Sequence, residues 1–178
     1  MSVTQPVIDA VLKRLAAGGI RHVVVATSTG ETGIRFLEAL AGRGVSLVCV
    51  THHAGFRTGD DRDLLSEHAA TLRAAEVPIV LATHVLSGIG RSISSQFGGT
   101  TPVELIAHTL RLFGQGMKVC VEIAVMAADA GLIPTDDDVI SVGGTGRGAD
   151  TAVVVRPAHA NRFFDLRIRE VLSKPSDI

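Results

Sequence analysis

The run Val23-Val24-Val25-Ala26-Thr27-Ser28-Thr29-Gly30-Glu31-Thr32-Gly33 decides the fold. A continuous β-branched stretch that stops at small polar residues and resumes as a helix reads as buried strand, tight turn and helix start. Such a turn aims backbone N–H groups and hydroxyls into one concavity. The partial positive charge of the helix N-terminus favours an anion there. The pattern recurs near the other end, where Val139-Ile140-Ser141-Val142 runs into Gly143-Gly144-Thr145-Gly146-Arg147-Gly148. Two more apolar runs, Val45 to Val50 and Pro78 to Ala82, stop at Thr51-His52-His53 and at Thr83-His84.

Between these strands the periodicity is helical. Val7, Ile8, Val11, Leu12 and Leu15 share one face before Gly18-Gly19, and Glu31 to Ala41 and Asp60 to Ala75 follow the same period. Thr101-Pro102-Val103-Glu104 has the form of a capping box and opens a helix to Phe113. An apolar helix over Lys118 to Ala130 precedes the strand at 139–142, and Ala152 to Val155 makes a fifth strand. Val85 to Thr100, rich in Ser and Gly, reads as a long loop. In Asn161 to Leu172 the spacing of Phe164, Ile168 and Leu172 fits a helix while Leu166, Ile168 and Glu170 alternate, with the helix preferred. Strands alternating with helices imply right-handed crossovers and a three-layer α/β fold. The expectation is one domain over residues 1–178, with a mostly parallel sheet and helices on both faces. Ligands of such sheets bind beyond the carboxyl ends of the strands, where every polar cluster named above falls.

Composition narrows the partners. The chain is 46% hydrophobic and carries 17 Lys and Arg against 18 Asp and Glu, with no basic block. Without Trp or Tyr to stack bases, a nucleic-acid surface is not expected. No apolar run is long enough to span a bilayer, and Met1 to Pro6 lacks the basic flank and apolar core of a signal peptide. Cys49 and Cys120 sit in apolar settings without metal-type spacing, as reduced core thiols of a cytoplasmic protein. No P-loop or Gly-x-Ser-x-Gly motif is present.

Val-Val-Ala-Thr-Ser-Thr-Gly-Glu-Thr, Thr-His-His-Ala-Gly-Phe, Thr-His-Val-Leu-Ser-Gly, Phe-Gly-Gln-Gly-Met-Lys-Val-Cys-Val-Glu-Ile and Gly-Gly-Thr-Gly-Arg-Gly-Ala-Asp-Thr-Ala resemble a family of small archaeal and bacterial proteins. That family is similar to the C-terminal α/β domain of pyruvate kinase, and the likeness runs from about Ile20 to the C-terminus. In pyruvate kinases this domain holds a sugar-bisphosphate effector through a Thr/Ser-rich loop and a Gly-rich loop. The resemblance assigns Thr27, Ser28, Thr29, Gly30 and Thr32 to the first loop, and Gly144, Thr145, Gly146, Arg147 and Gly148 to the second. The catalytic barrel of pyruvate kinase is absent, so the resemblance implies no kinase activity. Glu31 stands where that loop carries a basic or hydroxyl residue, which shifts the reading from a bisphosphate to a monophosphate. The resemblance suggests flavin mononucleotide (FMN) as the occupant.

The candidate ligand-binding residues are therefore Thr27, Ser28, Thr29, Gly30, Thr32, Thr51, His52, Thr83, His84, Gly143, Gly144, Thr145, Gly146, Arg147 and Gly148. An Arg among glycines suits a phosphate fork. His52, His53 and His84 are the candidate acids or bases, since imidazole titrates near neutrality. Their spacing does not match a metal site, and no metal is assigned. Lys118 and Glu122, four apart, read as a surface ion pair, and Cys120 as packing. Two functions stay open: a flavin-dependent protein with redox chemistry, or a non-enzymatic sensor of a sugar phosphate or nucleotide. Self-association is compatible with so small and Ala/Val-rich a chain.

Overall fold

The computed structural model describes residues 3–57 and 59–176. Met1, Ser2, Thr58, Asp177 and Ile178 lie outside the described residues, and with them the two ends of the domain expected over 1–178 and the first residues of the Met1 to Pro6 stretch. The elements in chain order are α1 (Thr4–Ala16), β1 (His22–Ala26), α2 (Glu31–Leu40), β2 (Ser46–Thr51), α3 (Ser66–Ala74), β3 (Ile79–Leu81), α4 (Gly88–Phe97), α5 (Pro102–Arg111), α6 (Gln115–Asp129), β4 (Val139–Gly143) and β5 (Thr151–Arg156). A 3-10 turn (Ala160–Asp165) and β6 (Arg167–Ser173) complete them.

The strands form one sheet in the order β3-β2-β1-β4-β5-β6. β1 to β4 run parallel, with Val25 opposite Cys49 on one side and Val142 on the other, whereas β5 and β6 are antiparallel additions. The chain winds outward from β1 to β3 and then returns to β4 on β1's other side. The β1–β4 junction is therefore the point where the strand order reverses.

Alternate residues of each strand serve the two faces. Val23, Val25, Cys49, Ile140 and Val142 pack with Val7, Val11, Phe36, Leu40 and Leu72 of α1, α2 and α3. Val24, Val48, Val50, Val139 and Val153 pack with Met117, Cys120, Ile123, Ala124 and Ala127 of α6. α5 covers the outside of α6 through Ala107, Val103, Ile106 and Leu110 against Val121. Twelve of the fifteen α6 residues are consequently buried.

Three sequence expectations are corrected. The 85–100 stretch is not a loop: Gly88–Phe97 is helical, anchored by Ser94 Oγ donating to Glu104 Oε1 at 2.6 Å. No residue of α4 is buried, so its glycines and serines, rather than an inward apolar face, dominate its sequence signal. The tail is not a helix but a 3-10 turn followed by an edge strand. Its pairing comes from β5's free edge, while most of its side chains stay exposed and carry little pattern. The 60–75 helix shortens to Ser66–Ala74, because Asp63 and Leu65 are engaged by the loops beside them. The capping box of α5 forms as read, with Thr101 Oγ1 accepting from the Glu104 N–H and Glu104 accepting from the Thr101 N–H.

Candidate functional site

Because β1 to β4 are parallel, the segments after them emerge at one edge of the sheet. The residues at 27–32 and 143–148 therefore flank the β1–β4 junction, while 52–53 and 83–84 follow β2 and β3. The N-terminus of α6 joins them. A side chain at Gly116 would collide with Thr151 Oγ1 and Asp150 Oδ1, so only glycine lets the first turn of α6 seat against the β4–β5 turn.

The hydroxyl cluster divides into structural and unengaged members. Thr27 is buried and its Oγ1 accepts from the Gly33 N–H at 3.2 Å, bracing the start of α2. Thr51 is buried and donates to the Ser28 carbonyl at 3.1 Å, tying the β1 loop to β2. Thr32 is turned inward. The Thr29 carbonyl receives the Leu65 N–H at 3.2 Å and contacts His68 Nδ1 at 2.8 Å. The hydroxyls of Ser28 and Thr29, and the N–H groups of Glu31 and Thr32, have no hydrogen-bond partner among the described residues. Gly30 adopts φ 99° and is buried, and a Cβ there would collide with His68.

Across the junction, the Thr145 N–H donates to Asp150 Oδ2 at 2.8 Å and Asp150 N–H to the Gly143 carbonyl at 3.1 Å, closing the turn. Gly148 backs onto Thr4, whose Oγ1 accepts from the Ala149 N–H at 3.0 Å. Residues 145–148 are exposed, and Arg147 forms no ion pair among the described residues. The β1 side of the junction thus carries two hydroxyls and two helix N–H groups, and the β4 side carries the exposed turn that includes Arg147.

At the β2 and β3 ends the side chains are aromatic. His52 stacks on Phe56 with centroids 3.8 Å apart and planes at 13°, and the His84 centroid lies 5.3 Å from His52 and 5.6 Å from Phe56. His53 touches the same rings edge-on. His52 Nδ1 meets Asp63 Oδ2 at 2.5 Å, and Arg57 also contacts that carboxylate at 3.2 Å. A carboxylate only accepts, so Asp63 places the proton on Nδ1 and leaves Nε2 as the acceptor of the neutral ring. Thr83, just before His84, is exposed.

Beneath this aromatic end lies a charged group whose position corrects the sequence reading. Lys118 and Glu122 are not a surface pair: their side chains are 5% and 1% exposed, and Nζ donates to Oε2 at 2.5 Å. Glu122 Oε1 accepts from the Leu86 N–H at 2.9 Å, and Oε2 lies 3.5 Å from His84 Nδ1. Burial, the largest influence, lowers the His84 pKa from its ordinary 6.5. Glu122 opposes that shift, His52 and Lys118 reinforce it, and the Thr51 carbonyl opposes it. Burial likewise lowers the Lys118 pKa from 10.5, against Glu122 and with Arg111 and Arg91. The signal for this burial was α6 itself, apolar all round its circumference and therefore enclosed on every side. Asp63 had no such signal; its role comes from a loop that spacing does not place.

No group of three His, Cys, Asp or Glu side chains among the described residues is arranged to hold a metal ion. Burial pushes the Cys49 thiol up to about 12 and raises that of Cys120, so both are packing residues rather than nucleophiles. A hollow of about 560 Å³ lies at the opposite edge of the sheet, around His22, Leu37, Leu40, Val45 and Val77. It is not the candidate site, since ligands of open α/β sheets meet the carboxyl edge and this hollow gathers no cations.

Fold and edge together define a doubly wound α/β domain whose switch point lies between the 27–32 and 143–148 segments. Residues 5–155 match the family of the pyruvate kinase alpha/beta domain, and the chain belongs to that family. The match ends within β5, and the 3-10 turn and β6 lie beyond it. None of the described helices is long and apolar enough to cross a membrane.

Proposed function

We propose that this protein binds a phosphorylated ligand along the carboxyl edge of its sheet, and that the ligand is FMN. The observation that carries the reading is the presence of two chemically distinct poles on one edge. Anion donors flank the β1–β4 junction, and stacked rings stand at the β2 and β3 ends. Two strand spacings separate β1 from β3, roughly 10 Å. A five-carbon ribityl chain joining a phosphate to a flat ring system suits that separation.

In this reading Ser28, Thr29, the Glu31 and Thr32 N–H groups, Gly144 to Gly148 and Arg147 receive the phosphate. Thr27, Gly30, Thr32 and Thr51 shape the loop that presents them. His52, His53 and His84 receive the ring on the His52 face that Phe56 covers, and Thr83 borders it. A bound flavin supplies hydride and electron chemistry, while the protein positions and tunes it. His52, oriented by Asp63, is the residue placed to move a proton at Nε2. The thiols, both buried and free, fit a reducing cytoplasm.

One observation favours the sensor alternative. Ile89, Ile93 and Phe97 form an exposed apolar stripe on α4, which follows the His84 segment directly, so ligand binding there has a route to a partner or a second copy. The test is the absorption spectrum of freshly purified protein with mass spectrometry of what it releases on denaturation, followed by titration with FMN. Flavin bands and stoichiometric uptake support the proposal. Colourless protein that ignores FMN but is thermally stabilised by sugar phosphates favours the sensor.

A further inference from the structure

The buried group of Lys118, Glu122 and His84 is only partly satisfied. Both Glu122 oxygens are occupied, by Lys118 Nζ, the Leu86 N–H and the nearby His84 ring. Lys118 has three N–H donors and uses one of them among the described residues. His84 Nε2 is buried and has no hydrogen-bond partner among the described residues. With Nδ1 facing a carboxylate, the proton of the neutral ring sits on Nδ1 and Nε2 remains an acceptor. Burial of His84 favours that neutral form. The charged and titratable neighbours are His52 from the β2 end, Arg91 from α4 and Arg111 from α5, and the two arginines add positive charge around Lys118.

Two unused donors and one unused acceptor beside a stacking surface complement a flat ring that carries a carbonyl oxygen next to a ring N–H. Buried polar groups left unpaired are costly, so a ligand that pairs them is selected over one that does not. We propose that Lys118 and His84, held in place by Glu122, recognise the cyclic amide or imide edge of the ligand's ring. The carbonyl oxygen accepts from Lys118 Nζ and the ring N–H donates to His84 Nε2, while the ring replaces Phe56 on the face of His52. This rests on the reading that the ring lies at the β2 and β3 ends.

The experiment is calorimetric titration of the full chain with FMN and with FMN methylated at the imide nitrogen. The methylated compound binds wild type at least tenfold more weakly, and His84→Phe removes that difference. The double variant Lys118→Met/Glu122→Leu, which removes both buried charges together and keeps the space filled, loses the preference as well. Equal affinities for wild type, or a preference that survives in His84→Phe, overturn the inference and leave the FMN reading standing. Failure of FMN to bind overturns both.

Discussion

Replacing Lys118 by Met leaves the Glu122 carboxylate 1% exposed with only the Leu86 N–H and a neutral imidazole to face. Removing one partner of a buried pair typically costs about 3–5 kcal/mol, whereas an exposed i,i+4 pair is worth about 0.3–0.5 kcal/mol. The two accounts of this pair therefore differ about tenfold in their consequence. For a chain of this length, 3–5 kcal/mol lowers the melting temperature by roughly 6–20 °C. Met fills most of the volume of the lysine stem, so cavity formation contributes little. Lys118→Met/Glu122→Leu deletes the charges in pairs and restores most of the loss, because a hydrophobic pair of similar volume often matches a buried ion pair. Urea and thermal unfolding of wild type, both single variants and the double variant close a thermodynamic cycle. A Lys118→Met cost below about 1 kcal/mol, or a double variant as damaged as the sum of the singles, refutes the burial argument.

Further outcomes separate structural hydroxyls from ligand-facing ones. Thr27→Val removes the acceptor of the buried Gly33 N–H and destabilises by about 1–3 kcal/mol in urea unfolding. Ser28→Ala with Thr29→Ala leaves the unfolding midpoint unchanged and abolishes FMN binding in titration. Arg147→Ala weakens FMN by about 1.5–3 kcal/mol, the range of a charge-assisted hydrogen bond, and unchanged affinity excludes it as a phosphate ligand. The lowered His84 pKa makes the unfolded chain bind more protons just below 6.5, so its contribution to stability falls as pH drops through that region. Unfolding at pH 7.5 and 5.5 shows a smaller acid loss in His84→Asn than in wild type; an equal loss contradicts the shift.

The strands and the α5 cap were legible because local chemistry dictates them. Val23 to Val25 and Val153 to Val155 admit little except a buried strand, and Thr101-Pro102-Val103-Glu104 closes its own hydrogen bonds. The edge carrying 27–32 and 143–148 followed from strand alternation. α4 and β6 were not legible because neither buries a face: one is held mainly through Gly90 and Ser94 against α5, the other by pairing with β5. Lys118 and Glu122 were misread because i,i+4 spacing is blind to what covers a helix. Only the packing of α5 over α6 tells a solvated pair from a buried one. Asp63 and Phe56 reached His52 through a loop path that no periodicity encodes.

The central claim is that one edge grips phosphate at one end and a flat ring at the other. A crystal structure of the protein grown with FMN tests it most directly. The account predicts the phosphate between Ser28, Thr29 and Arg147, with the ring on His52 and its polar edge toward His84 and Lys118. A phosphate bound away from the β1–β4 junction, or a ring lodged in the hollow around His22, contradicts it.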